Sequence, residues 1–409
     1  MSFLRKFLDS LGTHFEGDGK LKKFYPIYEM LDTFLYTPLL NTKGSVHVKD
    51  SMDLKRVMFT VVVALIPCML IGIFNTGYQI NLSIDQLGST ANLSQLIGCR
   101  FDLLNALGFK FGSSHYITSF ALGLTYFLPI YIVTQVVGGF WEVLFSVIRK
   151  HEINEGFLVT GTLFPLILPA TIPLWQVAVG VSFGVVFGKE IFGGTGKNFL
   201  NPALVGRAFL FFAYPAYMSG DSVWLAVDGV TGATALGQVV SGGMSSVSTT
   251  WLSSFIGLIP GSLGETSTIA CLFGAVVLIV TGVGSWRTML SMFLSFSFFI
   301  LLLTGIGSET NMAFSMSLCW HLVVGGFAFG TVFMATDPVS SAQTLKGQLF
   351  YGALIGFMVA LVRVINPAFP EGTMLAILFG NCLAPLIDYF VIQNYKKRRK
   401  FKKDVSYAA

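Results

Sequence analysis

The chain has 409 residues, of which 53% are hydrophobic and only 11% charged, with a mean hydropathy of +0.70. Soluble domains carry about 25% charged residues, so this composition excludes a soluble globular protein and describes an integral membrane protein. The net charge of +5 is spread over both ends rather than gathered in a binding patch, and no nucleic-acid partner is expected.

Residues 1–55 are polar and basic, with apolar runs too brief to span a membrane or to form a cleavable signal peptide, and read as a cytoplasmic segment. Residues 56–392 alternate long apolar runs with polar breaks. They predict spans at Arg56–Thr76, Tyr116–Phe145, Phe157–Ile172, Leu174–Phe192, Leu204–Ser219, Ser267–Gly284, Met289–Gly307, Trp320–Thr336, Leu349–Ile365 and Met374–Ile392. Some fall short of the roughly 20 residues that cross hydrocarbon. The second holds Gly138-Gly139, where a bend or break is expected. Residues 393–409 form a basic tail. The expected fold is thus an all-α polytopic membrane protein with about ten transmembrane helices.

Basic residues set the orientation. Those from Arg5 to Arg56 precede the spans and those from Lys396 to Lys403 follow them. An even number of spans places both ends in the cytoplasm. Arg149, Lys150, Lys189, Lys197, Arg207, Arg287 and Lys346 then fall at cytoplasmic ends, and only Arg100, Lys110 and Arg363 fall outside. The loop 220–266 lies on the outer side. A weak repeat pairs Gly139-Phe140-Trp141 with Gly284-Ser285-Trp286, and Phe183–Phe187 with Phe329–Phe333, at nearly the same offset. Five spans per repeat is an odd number, so the two five-helix halves would be inverted, as in many transporters.

Within the outer loop stands Asp228-Gly229-Val230-Thr231-Gly232-Ala233-Thr234. Thr234 can cap a helix starting at Ala235. It also matches an Asp-x-x-(Ser/Thr)-Gly-Ala-Thr site, at which a transferase esterifies the last threonine with the phosphate of FMN. The glycine-rich stretch Phe192–Pro202 is not a P-loop. The first glycine is out of register, and Asn198 stands where a Ser or Thr would hold magnesium. No dinucleotide-binding fingerprint follows a strand, so NADH is not bound by this chain. Asn198 and Asn201 offer donors and acceptors suited to an isoalloxazine edge or an ion, or to helix capping. Five scattered cysteines, with no C-x-x-C pair, argue against an iron–sulfur cluster or zinc site. His151 and His321 lack ligand-like spacing. Glu142, Asp337 and Asp388 lie in or beside spans, where ionised groups are costly and usually functional. Their oxygens suit a hard cation such as Na+, with Glu142 and Asp337 the stronger candidates.

Gly138–Val143, Lys150–Gly156, Gly193–Pro202, Phe333–Pro338 and Asn366–Gly372, together with the threonine motif, resemble the B subunits of the sodium-translocating NADH:quinone oxidoreductases. The likeness runs from about Tyr36 to Lys400. The D subunits of the Rnf ferredoxin:NAD oxidoreductases are the nearest alternative. A secondary transporter is the alternative from a different class, and it would have no use for a covalent flavin. The resemblance implies ten helices in the bacterial inner membrane and a six-subunit complex with partners A, C, D, E and F. It implies covalent FMN on Thr234, noncovalent riboflavin near Asn198 and Asn201, and ubiquinone near Gly138, Gly139, Glu155 and Phe157. Electrons would pass from NADH through the F and C partners to these flavins and on to ubiquinone, coupled to Na+ export. Leu158 stands where some members have a second Phe, which weakens aromatic stacking on the quinone.

Overall fold

The computed structural model describes residues 54–87, 98–150, 156–221, 223–227, 232–308, 311–366 and 371–408, with isolated positions at 10, 12, 15, 25, 28 and 153, and side chains as far as 399. Most of the N-terminal segment, Glu155, His151 and Asp228–Thr231 lie outside the described residues.

Among the described residues every regular element is helical. Six helices among the described residues are long and apolar enough to cross a membrane: Leu54–Leu87 (α1), Tyr116–Arg149 (α2), Leu174–Phe192 (α4, including a short terminal 3-10 turn), Trp286–Ile306 (α8), Leu345–Ile365 (α11) and Thr373–Arg399 of a longer α12. Three shorter apolar helices are Gly156–Leu166 (α3), Pro202–Ala213 (α5) and Thr268–Val280 (α7). The polar loop before α7 carries a helix at Ala235–Gly242 (α6). Between α8 and α11 the chain is helical only in pieces, Leu318–Val323 (α9) and Phe327–Phe329 (α10), followed by a π-turn at Gly330–Met334.

The expected segments therefore all meet helices, with three departures. First, α2 runs unbroken for 34 residues through Gly138-Gly139, because neighbouring helices support it and two glycines alone do not interrupt an α-helix. Second, the eighth segment is broken. Gly325 and Gly326 adopt φ values of 73° and 66°, a left-handed conformation that only glycine takes without strain. Third, the paired sequence matches differ in local structure. Gly139–Trp141 lies late inside α2, whereas Gly284–Trp286 is the turn that opens α8. Phe183–Phe187 lies within α4, and Phe329–Phe333 within the broken segment.

Lipid-type packing explains the glycines. A Cβ on Gly352 or Gly356 of α11 would meet the backbone of α8 at Thr288 and Met292. Gly77 of α1 and Gly123 of α2 pack backbone to backbone in the same way. Such small-residue contacts let helices approach where no hydrophobic effect drives them together. Large apolar side chains such as Ile117, Phe298, Leu301 and Val280 point outward, while Glu142, Lys189, Glu190, Arg207, Asp337 and Arg363 are buried.

Candidate functional site

Two polar clusters lie at opposite ends of α5, which runs from Asn201 toward the loop that carries Thr234.

At the first end, Asn201 caps α5. Its Oδ1 accepts from the amides of Ala203 (3.0 Å) and Leu204 (3.5 Å), and Pro202 occupies the first helical position, which lacks an N–H to satisfy. Asn201 Nδ2 donates to Asp337 Oδ2 at 3.4 Å. Asp337 also accepts from Ser340 Oγ at 2.6 Å and from the Val339 amide at 3.5 Å, and no ion pair among the described residues includes it. Asn198 closes its own loop, accepting from Gly196 N and donating to Leu200 O. Gly193, Gly194 and Gly196 have positive φ and turn the chain here. Asn198, Asn201, Asp337, Lys189 and Thr195 line a cavity of about 20 Å3. That is room for roughly one water, not an isoalloxazine, and the asparagine amides are committed to the backbone and to Asp337. Riboflavin does not fit these residues in the chain alone.

No salt bridge for Glu142 is evident in the sequence, yet the fold supplies one. Lys189 Nζ donates to its Oε1 at 2.6 Å, and both side chains are nearly fully buried. Lys189 also lies 3.9 Å from Glu190 Oε1, and the Glu190 carboxylate pairs with Arg149 at 3.5 Å. The α4 end thus neutralises Glu142. Asp388 accepts from the Gln343 and Thr344 amides at 2.7 and 3.1 Å, a contact that ties α12 to the start of α11.

Among the quinone candidates, Gly138 and Phe157 touch. A Cβ on Gly138 would run into the Phe157 ring and lie 3.3 Å from Val181. Gly139 has nothing within 4 Å of such an atom, so it faces open space on the other side of α2.

At the second end, Thr234 is the N-cap of α6, its Oγ1 accepting from Gly237 N at 3.2 Å. Gly232 donates to Asp221 O at 2.8 Å, and a Cβ there would lie 2.7 Å from Leu225 Cβ, so packing calls for glycine. Thr234, Arg207, Phe211, Asp221, Trp224 and Glu371 help to line a cavity of about 170 Å3. The pattern of basic residues assigns Arg207 to a cytoplasmic end. The fold instead brings its Nη1 to Glu265 Oε1 at 2.6 Å, because the long side chain runs from the middle of α5 toward the carboxylate. Burial pushes the carboxyls of Glu265 and Glu371 above the ordinary glutamate value. Arg207 opposes this at Glu265, and Arg207, Thr234 and Arg363 oppose it at Glu371. Behind them Arg363 is 1% exposed. It donates to His321 O (2.6 Å), Gly325 O (2.9 Å) and Thr373 Oγ1 (3.1 Å), so its guanidinium takes up carbonyls freed by the break after α9.

Sequence reasoning assigns no functional role to Arg207, Glu265, Glu371, Lys189 or Arg363. The signal that marks them is charge within or beside apolar segments; their pairing is tertiary. Among the described residues no group of three His, Cys, Asp or Glu side chains could hold a metal ion.

A family model described as the NQR2, RnfD, RnfE family matches residues 41–397. The B subunit of the Na(+)-translocating NADH-quinone reductase of Chromohalobacter salexigens is 56% identical over 408 residues, 99% of this chain and 98% of the relative. Proteins of the same name from Ectopseudomonas mendocina and Pseudomonas aeruginosa are 58% and 54% identical over 399 residues, 97% of this chain and 98% of each relative. The chain belongs to the NQR2, RnfD, RnfE family, on the branch of the Na(+)-translocating NADH-quinone reductase B subunits.

Proposed function

We propose that this chain is the membrane redox subunit of a Na+-translocating NADH:ubiquinone reductase, carrying FMN as a phosphoester on Thr234 and working with the other subunits of its complex. The observation that carries the reading is the setting of Thr234. Its hydroxyl opens on a cavity with a buried arginine, at the N-terminus of an eight-residue helix, where backbone N–H groups favour a phosphate. The ester would join Thr234 Oγ to the phosphorus of an activated flavin nucleotide, releasing the hydroxyl proton and the nucleotide leaving group. FMN in that place supplies electron transfer by one or two electrons. Thr234 and the N-terminus of α6 would hold its phosphate.

The names of the relatives favour this over the Rnf-type reading, which the composition of the purified complex would separate. Ten spans in two inverted halves, with both termini in the cytoplasm of a bacterial inner membrane, belong to the same reading. They are supported by the basic ends and by the agreement of predicted segments with helices. Asp337 remains the proposed sodium-facing carboxylate, since it is buried without a cation partner among the described residues. The quinone is proposed beside the open face at Gly139, since Gly138 and Phe157 already pack against each other on the other side of α2. Riboflavin near Asn198 and Asn201 would need a space larger than this chain provides, and no step is assigned to it.

The test is coexpression with a flavin transferase, followed by in-gel ultraviolet fluorescence and peptide mass spectrometry. A fluorescent band and a Thr234 peptide heavier by FMN are expected, and Thr234→Ala should lose both while still inserting in the membrane. An unmodified Thr234 peptide from the wild type would overturn the reading.

A further inference from the structure

Attachment of a flavin at Thr234 leaves without a task a buried ion pair whose arginine lines the same cavity. Arg207 and Glu265 lie 2.6 Å apart with side chains 10% exposed. Burying such a pair costs several kcal/mol per ion in desolvation, which attraction only partly returns. An apolar residue on α5 would pack more cheaply against lipid-type neighbours. The pair is also placed unlike an ordinary structural bridge. It joins the middle of α5 to the loop before α7, and its arginine lines the cavity on which Thr234 opens. Glu371 lies beside both, lining the same cavity as Arg207 and Thr234. A guanidinium has five donors in a planar fork, and the bond to Glu265 uses one of them.

We propose that Arg207 is the phosphate-binding residue of the Thr234 flavin site, and that Glu265 is its standing counter-ion, holding the guanidinium toward the cavity before the cofactor is attached. This rests on the reading of Thr234 as the FMN attachment point. The ligand class is a threonine phosphodiester, which carries one negative charge and acceptor oxygens in the geometry that a guanidinium matches. The diester then lies between two donors of different origin, the α6 N-terminus at Gly237 and the α5 side chain of Arg207. Donors from two separate elements would limit the orientations open to the phosphate. Glu265 contributes before attachment, when Arg207 would otherwise be an uncompensated buried cation.

The test uses the full chain in its complex, coexpressed with the transferase, in wild type, Arg207→Gln, Arg207→Lys, Glu265→Gln and the double Arg207→Gln/Glu265→Gln. The double variant carries no unpaired charge, so it keeps the test alive if Arg207→Gln alone fails to fold. Readouts are FMN per chain by peptide mass spectrometry, quenching of flavin fluorescence by iodide, and thermal stability with and without attached flavin. Loss of one charge-assisted contact corresponds to about 10- to 100-fold in binding. The Arg207→Gln and double variants should therefore hold the flavin loosely, with lower content or several-fold greater iodide quenching, and Arg207→Lys should recover part of the effect. Glu265→Gln should slow attachment but leave the attached flavin fully shielded from iodide, and its stability should recover when the flavin is attached, since the diester replaces the missing carboxylate. A merely structural bridge predicts the opposite pattern, with Glu265→Gln as damaging as Arg207→Gln and no recovery on flavinylation. That pattern, or Arg207 variants with wild-type content and quenching, overturns the proposal while leaving the Thr234 reading intact. An unmodified wild type overturns both.

Discussion

Glu371 shows how one side chain can make this cavity sensitive to pH. Its carboxyl sits above the ordinary glutamate value of 4.5 because burial disfavours the charged form, against the pull of Arg207, the Thr234 hydroxyl and Arg363. The groups around it come from four elements: Arg207 on α5, Thr234 at α6, Glu265 before α7 and Arg363 at the end of α11; Asp221 lines the same cavity. A raised carboxyl means that the folded state binds more protons than the unfolded one, so its contribution is complete below 4.5 and is lost as pH rises through the folded value. Glu371→Gln should remove that loss. Melting temperatures in detergent, measured from acid to neutral pH, should fall less with rising pH in the variant than in the wild type. Gly138 and Gly139 separate just as cleanly. Gly138→Ala drives a methyl into the Phe157 ring and should destabilise by about 1–3 kcal/mol, whereas Gly139→Ala meets nothing within 4 Å and should leave stability unchanged. A change in ubiquinone or inhibitor affinity in Gly139→Ala, at normal stability and normal NADH oxidation by artificial acceptors, would place the quinone beside it. Unchanged affinity would move the pocket elsewhere.

At the scale of elements, the broken segment between α8 and α11 depends on Arg363. The break frees carbonyls at His321 and Gly325, and the guanidinium satisfies both as well as Thr373. It arrives from a π-turn at Leu361–Ile365, a geometry often found where a helix must present a functional residue. Hydrogen bonds to charged groups contribute about 1.5–3 kcal/mol each. Arg363→Met should therefore cost at least about 3 kcal/mol, seen as a lower melting temperature and faster proteolysis near Gly325. Wild-type stability in that variant would show that the glycine turn holds itself.

For the whole molecule, the end opposite Thr234 concerns the ion. Glu142→Gln leaves Lys189 buried without its closest partner, and breaking a buried pair costs about 3–5 kcal/mol, so that variant reports on stability before it reports on sodium. Asp337→Asn is the cleaner probe, because its carboxylate pairs with no cation among the described residues and Asn keeps its size. It should raise the Na+ concentration needed for half-maximal ubiquinone reduction with flavin content unchanged. Glu142→Gln/Lys189→Gln, which removes both charges, should restore stability relative to the single variant. An unchanged Na+ dependence in both Asp337→Asn and the double variant would assign these acids to structure and send the ion path to the partner proteins of the complex.

Composition and hydropathy alone determined that this is a helical membrane protein, because its long contiguous apolar runs, unlike the alternating pattern of barrel strands, satisfy their backbone in lipid only as helices. Local patterns placed the helical segments, since each is a contiguous apolar run, and the cap at Thr234, since capping needs only the residue and the three that follow it. The break at Gly325-Gly326 was hidden, because two glycines within an apolar run are compatible with a continuous helix, as α2 shows at Gly138-Gly139. What only the tertiary structure decided were the partnerships of buried charges. Lys189 is 47 positions from Glu142, Arg207 is 58 from Glu265, and Arg363 is 42 from His321. Sequence shows that each such charge must be compensated, by the cost of leaving it bare in low dielectric. Which group compensates it depends on how the helices pack, and that packing is set by glycine contacts and side-chain shape distributed over the whole chain.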